Sequence, residues 1–204
     1  MADYTTVELV GSALGVTSTD EATLANSVTA ASRLVDGFCG RNFDSATKTW
    51  DFEPSSWNYC RVDDLVSITT LKTDDAYDGT FGTTWSTSDY ITEPANGVGP
   101  NGQTGWPITG LCTVGTRWFP MWGVYRRQTV RIIGTFGWAA VPDAVKQAAL
   151  FLAEEMFKAA REAPYGTAGG LGEFGVTVRG NARVADLLAP YKTVTASGGS
   201  FLVA

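Results

Sequence analysis

Residues 131–162 read RIIGTFGWAAVPDAVKQAALFLAEEMFKAARE, and the periodicity of this stretch changes part-way through. Val130, Ile132 and Ile133 belong to a strand, and Gly134 and Gly137 loosen a corner. Pro142 suits a first helical turn, because the N–H it lacks would be unpaired there anyway. Asp143 favours the positive end of the helix dipole. The pattern predicts a helix from Pro142 to about Glu162, with Pro164 blocking its continuation. At about 100° per residue, Val145, Ala148, Ala149, Leu152, Met156, Ala159 and Ala160 fall in one arc roughly 140° wide. Leu150 and Phe157 flank that arc, and Phe151 stands alone in the polar face. One arc can pack the chain's own core, leaving the flanks and Phe151 either for a neighbour or partly exposed, as single surface apolar residues often are.

Working outward, the N-terminal part is helical too. Thr5 and Glu8 have capping-box spacing, with Gly15 as a stop, and Ser18 and Glu21 repeat the signature. A second helix is expected from about Thr19 to Cys39. Leu24, Val28, Ala31, Val35 and Phe38 form its apolar stripe, and Gly40 sits at its C-cap. From Thr47 to Gly137 the texture is that of strands: Thr47–Phe52, Asn58–Val62, Leu65–Thr73, Tyr90–Glu93, Leu111–Trp118 and Thr129–Phe136. Tyr77, Asp78 and Gly79 signal a turn. Pro94 to Pro107 reads as a long surface loop. After a glycine-rich linker, Gly166 to Gly172, comes a short alternating stretch, Phe174 to Arg179. Asn181 then caps a last helix, Ala182 to Leu188, ended by Pro190.

The fold class is therefore α+β. Residues 1–46 and 138–190 form a discontinuous helical core, residues 47–137 an inserted β-rich lobe, and residues 191–204 a tail with the composition of a flexible end.

The chain has 204 residues, a net charge of −6, and is 44% hydrophobic but only 18% charged. Sparse charge leaves room for surface covered by partners. The first 46 residues carry six acids and two bases, so the N-terminal helices are the more acidic part. Apart from Arg126, Arg127 and Arg131 there is no basic cluster of the kind that grips nucleic acid. No run of about 18 apolar residues suggests a membrane span. There is no histidine. That removes the commonest general base, the Ser-His-Asp triad and most zinc sites. Cys39, Cys60 and Cys112 have no CxxC spacing and read as reduced thiols.

Weaker motifs have simpler readings. The GxGxxG at Gly170–Gly175 follows a helix and precedes a strand, the reverse of a dinucleotide site. Asp74 to Asp78 begins like a calcium loop but has Ala76 and Trp85 where ligands are needed. Asp63 with Asp64 and Glu154 with Glu155 are neighbours, not facing carboxylate pairs. The tryptophans gathered in the β lobe suit a core or an interface, or the stacking of sugars. No catalytic, cofactor or metal site emerges.

Four stretches carry a resemblance: RLVDGFCGRNF at 33–43, DLVSITTL at 64–71, SDYITEP at 88–94 and VRIIGTFGWAAVPDAVKQAA at 130–149. Together they resemble the head–tail adaptor family of long-tailed phages, also called head-completion or connector proteins. The resemblance runs from about Ala22 to Glu162. It implies a non-enzymatic, cofactor-free protein of the virion neck, assembled in the host cytoplasm. Such proteins form a homo-oligomeric ring, usually of twelve copies. The ring would join the portal to the stopper or tail terminator, and genomic DNA would pass through it without specific binding. On that reading Leu150, Phe151, Phe157, Leu24 and Val28 supply the subunit interface. Phe136, Gly137, Trp138 and Pro142 form the corner between lobe and core. A portal-facing arm would include Gly169, Gly172, Phe174, Val176, Arg179, Leu187 and Tyr191. The large β lobe exceeds the minimal helical members of the family. A carbohydrate- or protein-binding module of a decoration or baseplate is the alternative.

Overall fold

A computed structural model describes residues 2–16, 20–99, 102–121, 128–162, 178 and 180–193. The chain is α+β and divides into two compact units, residues 1–41 with 142–204, and residues 42–141.

The helical unit holds α1 (Val7–Leu14), α2 (Glu21–Cys39), α3 (Asp143–Glu162) and α4 (Ala182–Leu188), the last followed by a 3-10 turn over Ala189–Tyr191. Pro190 therefore opens a tighter turn rather than stopping the chain. The N-cap of α1 is Thr6, not Thr5: its side chain accepts the N–H of Leu9. The N-cap of α2 is Asp20, which makes no side-chain cap bond. Gly15 and Gly40 end the two helices in the left-handed conformation that a Cβ disfavours.

α2 buries Leu24, Val28, Ala31 and Val35, with Cys39 completing the stripe, while Phe38 is half-buried beneath the Lys192 ammonium. Two serines share that face because their hydroxyls are satisfied locally. Ser27 Oγ donates to Thr23 O and Ser32 Oγ to Val28 O, both at 2.9 Å. On α3 the buried face is wider than the arc expected. It takes in Ala153 and Phe157, while Met156 and Ala159 are half-buried and Ala160 is exposed. The chain after α4 is tied to the end of α2, since Thr193 donates its N–H to Cys39 O at 2.8 Å.

The β unit is an antiparallel sheet of six strands: β1 (Ala46–Phe52), β2 (Tyr59–Thr73), β3 (Thr83–Trp85), β4 (Tyr90–Glu93), β5 (Ile108–Thr113) and β6 (Val130–Phe136). Their order is β1-β6-β2-β5-β4, with β3 also on β2. Two expected strands, 58–62 and 65–73, are one long strand. Its inward-facing residues change parity, from Cys60 and Val62 to Leu65, Leu71 and Thr73. The register against β5 shifts between Arg61 and Leu65. An irregularity at Asp63–Asp64 turns the side chains over without ending the strand. β5 stops at Thr113, short of the expected Trp118, because the chain turns at Gly115. β6 alternates cleanly, burying Val130, Ile132, Gly134 and Phe136. With Cys60, Val62, Leu65, Leu71, Trp85, Leu111 and Phe119, the apolar members of that set form the core of the unit. Each such side chain taken from water contributes about 1.5–3 kcal/mol.

Candidate functional site

Two places draw together the residues expected to matter. The first is the corner after β6. Gly137 has φ +105°, and a Cβ there would stand 1.8 Å from Asp44 O. Its N–H donates to Asp64 O at 2.7 Å. The next residue, Trp138, donates its indole N–H to the carboxylate of Asp64 at 2.9 Å. Its ring packs on Phe43 at 5.2 Å and edge-on against Trp106 at 4.9 Å. Asp64 thus takes both N–H groups of the corner, which makes it a structural pin rather than a solvated charge. The 94–107 segment has structure of its own, with Val98 bridged to Thr104 and the Trp106 N–H bonded to Gly97 O at 2.9 Å. Phe136 is buried against Trp50 and Phe52. Pro142, at the start of α3, is half-buried, and its carbonyl accepts the N–H groups of Val145 and Lys146.

The second place lies in the helical unit, where α3 and α4 border an open groove of about 630 Å³ lined by Gln147, Phe151, Arg183, Asp186 and Leu187. Asn181 positions α4. Its side-chain oxygen caps Val184 N at 3.2 Å and its amide donates to Glu155 at 2.5 Å. Val184, Leu188 and Tyr191 are buried beneath, and the Arg183 guanidinium lies 4.5 Å from the Phe151 ring centre. Leu150 and Phe151 are half-buried, and Leu187 lines the groove. Leu24, Val28 and Phe157 are at most 4% exposed, so they serve the chain's own core and offer no face to a neighbour. Tyr191 is likewise an internal residue. Burial, and then the Asp143 charge, push its phenol above the ordinary range. Gly169, Gly172, Phe174, Val176 and Arg179 lie outside the described residues, as does the GxGxxG stretch.

Among the described residues no group of three or more His, Cys, Asp or Glu is placed to hold a metal. Burial pushes the thiols of Cys39 and Cys60 up to about 12, and that of Cys112 upward as well, with Glu93 adding to the shift. Such thiols are poor nucleophiles at neutral pH. Asp74, in the stretch that begins like a calcium loop, accepts the N–H groups of Asp78 and Gly79 and closes a turn. Arg131 is engaged by Asp51 in a two-pronged pair at 2.6 and 2.7 Å, and its guanidinium lies over the ring of Phe81. Arg126 and Arg127 lie outside the described residues. No described helix is long and apolar enough to cross a membrane.

No family model and no curated protein matches the sequence. Solved structures do match. One chain, from the neck of an empty GTA particle computed with C6 symmetry, is 19% identical with a TM-score of 0.54. The match covers 95% of this chain and 91% of that one. This protein shares its fold with that neck chain. A second match, in the virion of a native gene transfer agent particle, is 18% identical with a TM-score of 0.51, covering 94% and 90%. The likeness is one of fold, and it spans the helical and the β units alike.

The corner was flagged by Gly-Trp followed by Val-Pro. The part played by Asp64 was not, because its partner lies 74 residues away. The α3–α4 groove left one trace in the sequence: an aromatic residue, Phe151, on an otherwise polar helix face.

Proposed function

We propose that this chain is a structural protein of the virion neck in a phage-like particle, a head–tail adaptor. Copies of it form a ring between the portal and the stopper or tail, extend the DNA channel and catalyse nothing. The observation that carries this reading is the fold likeness to a neck chain over nearly the whole of both proteins. The four adaptor-like stretches support it, as does the lack of histidine. A net charge of −6 suits a wall that passing DNA should not grip.

Within that reading, Leu150, Phe151 and Leu187 form the contact surface of the helical unit, while Leu24, Val28 and Phe157 support it from inside. Sedimentation velocity tests the proposal, with the protein run alone and mixed with the portal encoded beside it. The expected result is a stoichiometric complex carrying a ring, about 260 kDa for twelve copies of the 21.7 kDa chain. Phe151→Glu should weaken assembly and leave the monomer folded. A protein that stays monomeric and ignores the portal would refute the adaptor reading.

A further inference from the structure

The β unit carries a second groove that its own core leaves open. Its floor is the stack of Trp85 on Phe119, with ring centres 4.9 Å apart and planes 8° from parallel. That floor is held in place from several sides. Trp85 donates its indole N–H to Thr73 Oγ1 at 2.9 Å, and Phe119 donates its backbone N–H to Trp57 O at 2.7 Å. Tyr77 donates its hydroxyl to Met121 O at 3.1 Å. Around the floor stand Trp57 and Trp118, 62% and 66% exposed, with Met121 at 48%. The space they border is about 560 Å³, within the roughly 300–1,000 Å³ of small-molecule sites. Indoles this exposed add little to the core, and leaving them in water is a cost that folding alone does not explain.

Polar groups share the groove with the indoles. Asp75 lines it. One of its carboxylate oxygens accepts from Thr83 Oγ1, and among the described residues no bond to the other is seen. Thr116, an exposed residue, lines it too. Arg117 Nη2 meets Asp89 at 3.5 Å, and a guanidinium has five N–H donors, more than one carboxylate within the described residues uses. Among the described residues the groove is lined by one acid and one base, Asp75 and Arg117, without the basic surround that accompanies aromatic platforms for nucleic acid. A wholly apolar occupant would take water from the second Asp75 oxygen and from the remaining N–H groups of Arg117 and offer nothing in its place. A neutral sugar ring satisfies both halves of the site, because it pairs apolar C–H faces with a rim of hydroxyls. We infer that this groove binds a neutral saccharide, with sugar rings stacked on Trp57 and Trp118 and their hydroxyls bonded to Asp75, Thr116 and Arg117.

The test is titration of the whole protein with maltohexaose, cellohexaose, chitohexaose and laminarihexaose, read by tryptophan fluorescence and saturation-transfer NMR. At least one should give a saturable response with ligand up to roughly 10 mM. Trp57→Ala and Trp118→Ala should each weaken binding by about tenfold or more. Trp50→Ala, on β1 and outside the groove, should leave it unchanged. Thermal unfolding of each variant checks that the exposed substitutions spare the fold. No saturable response with any of the four sugars overturns the inference, as does binding that survives both substitutions. If the two variants lose portal binding or ring assembly while no sugar binds, the groove serves a protein and the saccharide assignment falls.

Discussion

Replacing Trp138 by Phe tests the corner directly. The side chain is 4% exposed, and its N–H lies 2.9 Å from the Asp64 carboxylate. Losing a hydrogen bond to a charged acceptor costs about 1.5–3 kcal/mol. The smaller ring also gives up part of its contact with Phe43 or Trp106, about 0.5–1.5 kcal/mol. Trp138→Phe should therefore destabilise the β unit by about 2–4 kcal/mol. Asp64→Ala removes the acceptor and other contacts of that carboxylate, so the pair is isolated by a double-mutant cycle, with an expected coupling of about 1.5–3 kcal/mol. Urea unfolding followed by tryptophan fluorescence is the assay. All seven tryptophans lie within residues 42–141, so this signal reports the β unit alone and need not assume that both units unfold together. A coupling under about 0.5 kcal/mol would mean that the indole–carboxylate bond does not hold the corner, and the reasoning would fail.

Three more outcomes follow. Gly137→Ala should cost about 3 kcal/mol or more, because its Cβ would meet Asp44 O at 1.8 Å and its φ of +105° is strained for alanine. Gly82→Ala, where nothing lies within 4 Å, should stay within about 0.5 kcal/mol of the parent in the same urea titration. Cys39 gives the helical unit a pH dependence. Its folded-state thiol is raised from 9.0 to about 12 by burial, so its stabilising effect is complete below pH 9.0 and is lost as pH rises toward 12. Alkaline titration followed by circular dichroism should show that loss, and Cys39→Ala should flatten it. An identical profile in the variant would assign the alkaline transition to other groups.

The elements legible in the sequence were those whose cause is local. α3 announced itself through Pro142, Asp143 and a long apolar arc, and α4 through the Asn181 cap. Gly15 and Gly40 marked helix ends because the left-handed conformation that closes a helix costs glycine least. What escaped depends on partners distant in the chain. The parity change at Asp63–Asp64 looks like a break until β5 and β6 are seen holding β2 on both sides. β3 is three residues long and exists only because Leu71 to Thr73 pair with it. Phe157 looks like a flank of its own helix, yet it is buried in the fold. The saccharide groove unites residues from 57 to 121, a span that no local pattern encodes.

Because the helical unit draws on both ends of the chain, its assembly has an order in time. On the ribosome α1 and α2 emerge first, with Leu24, Val28, Ala31 and Val35 uncovered, and α3 follows only after the whole β unit. At about 5–20 residues per second the wait is several seconds or longer. The β unit shortens the remaining search. Ala46 pairs with Phe136, so the folded insert brings its own two ends onto neighbouring strands. A loop of about a hundred residues then behaves as one of about ten, which lowers the closure entropy by about 2 kcal/mol. The sheet thereby acts as a clasp for the nascent chain, delivering α3 to a helix made long before it.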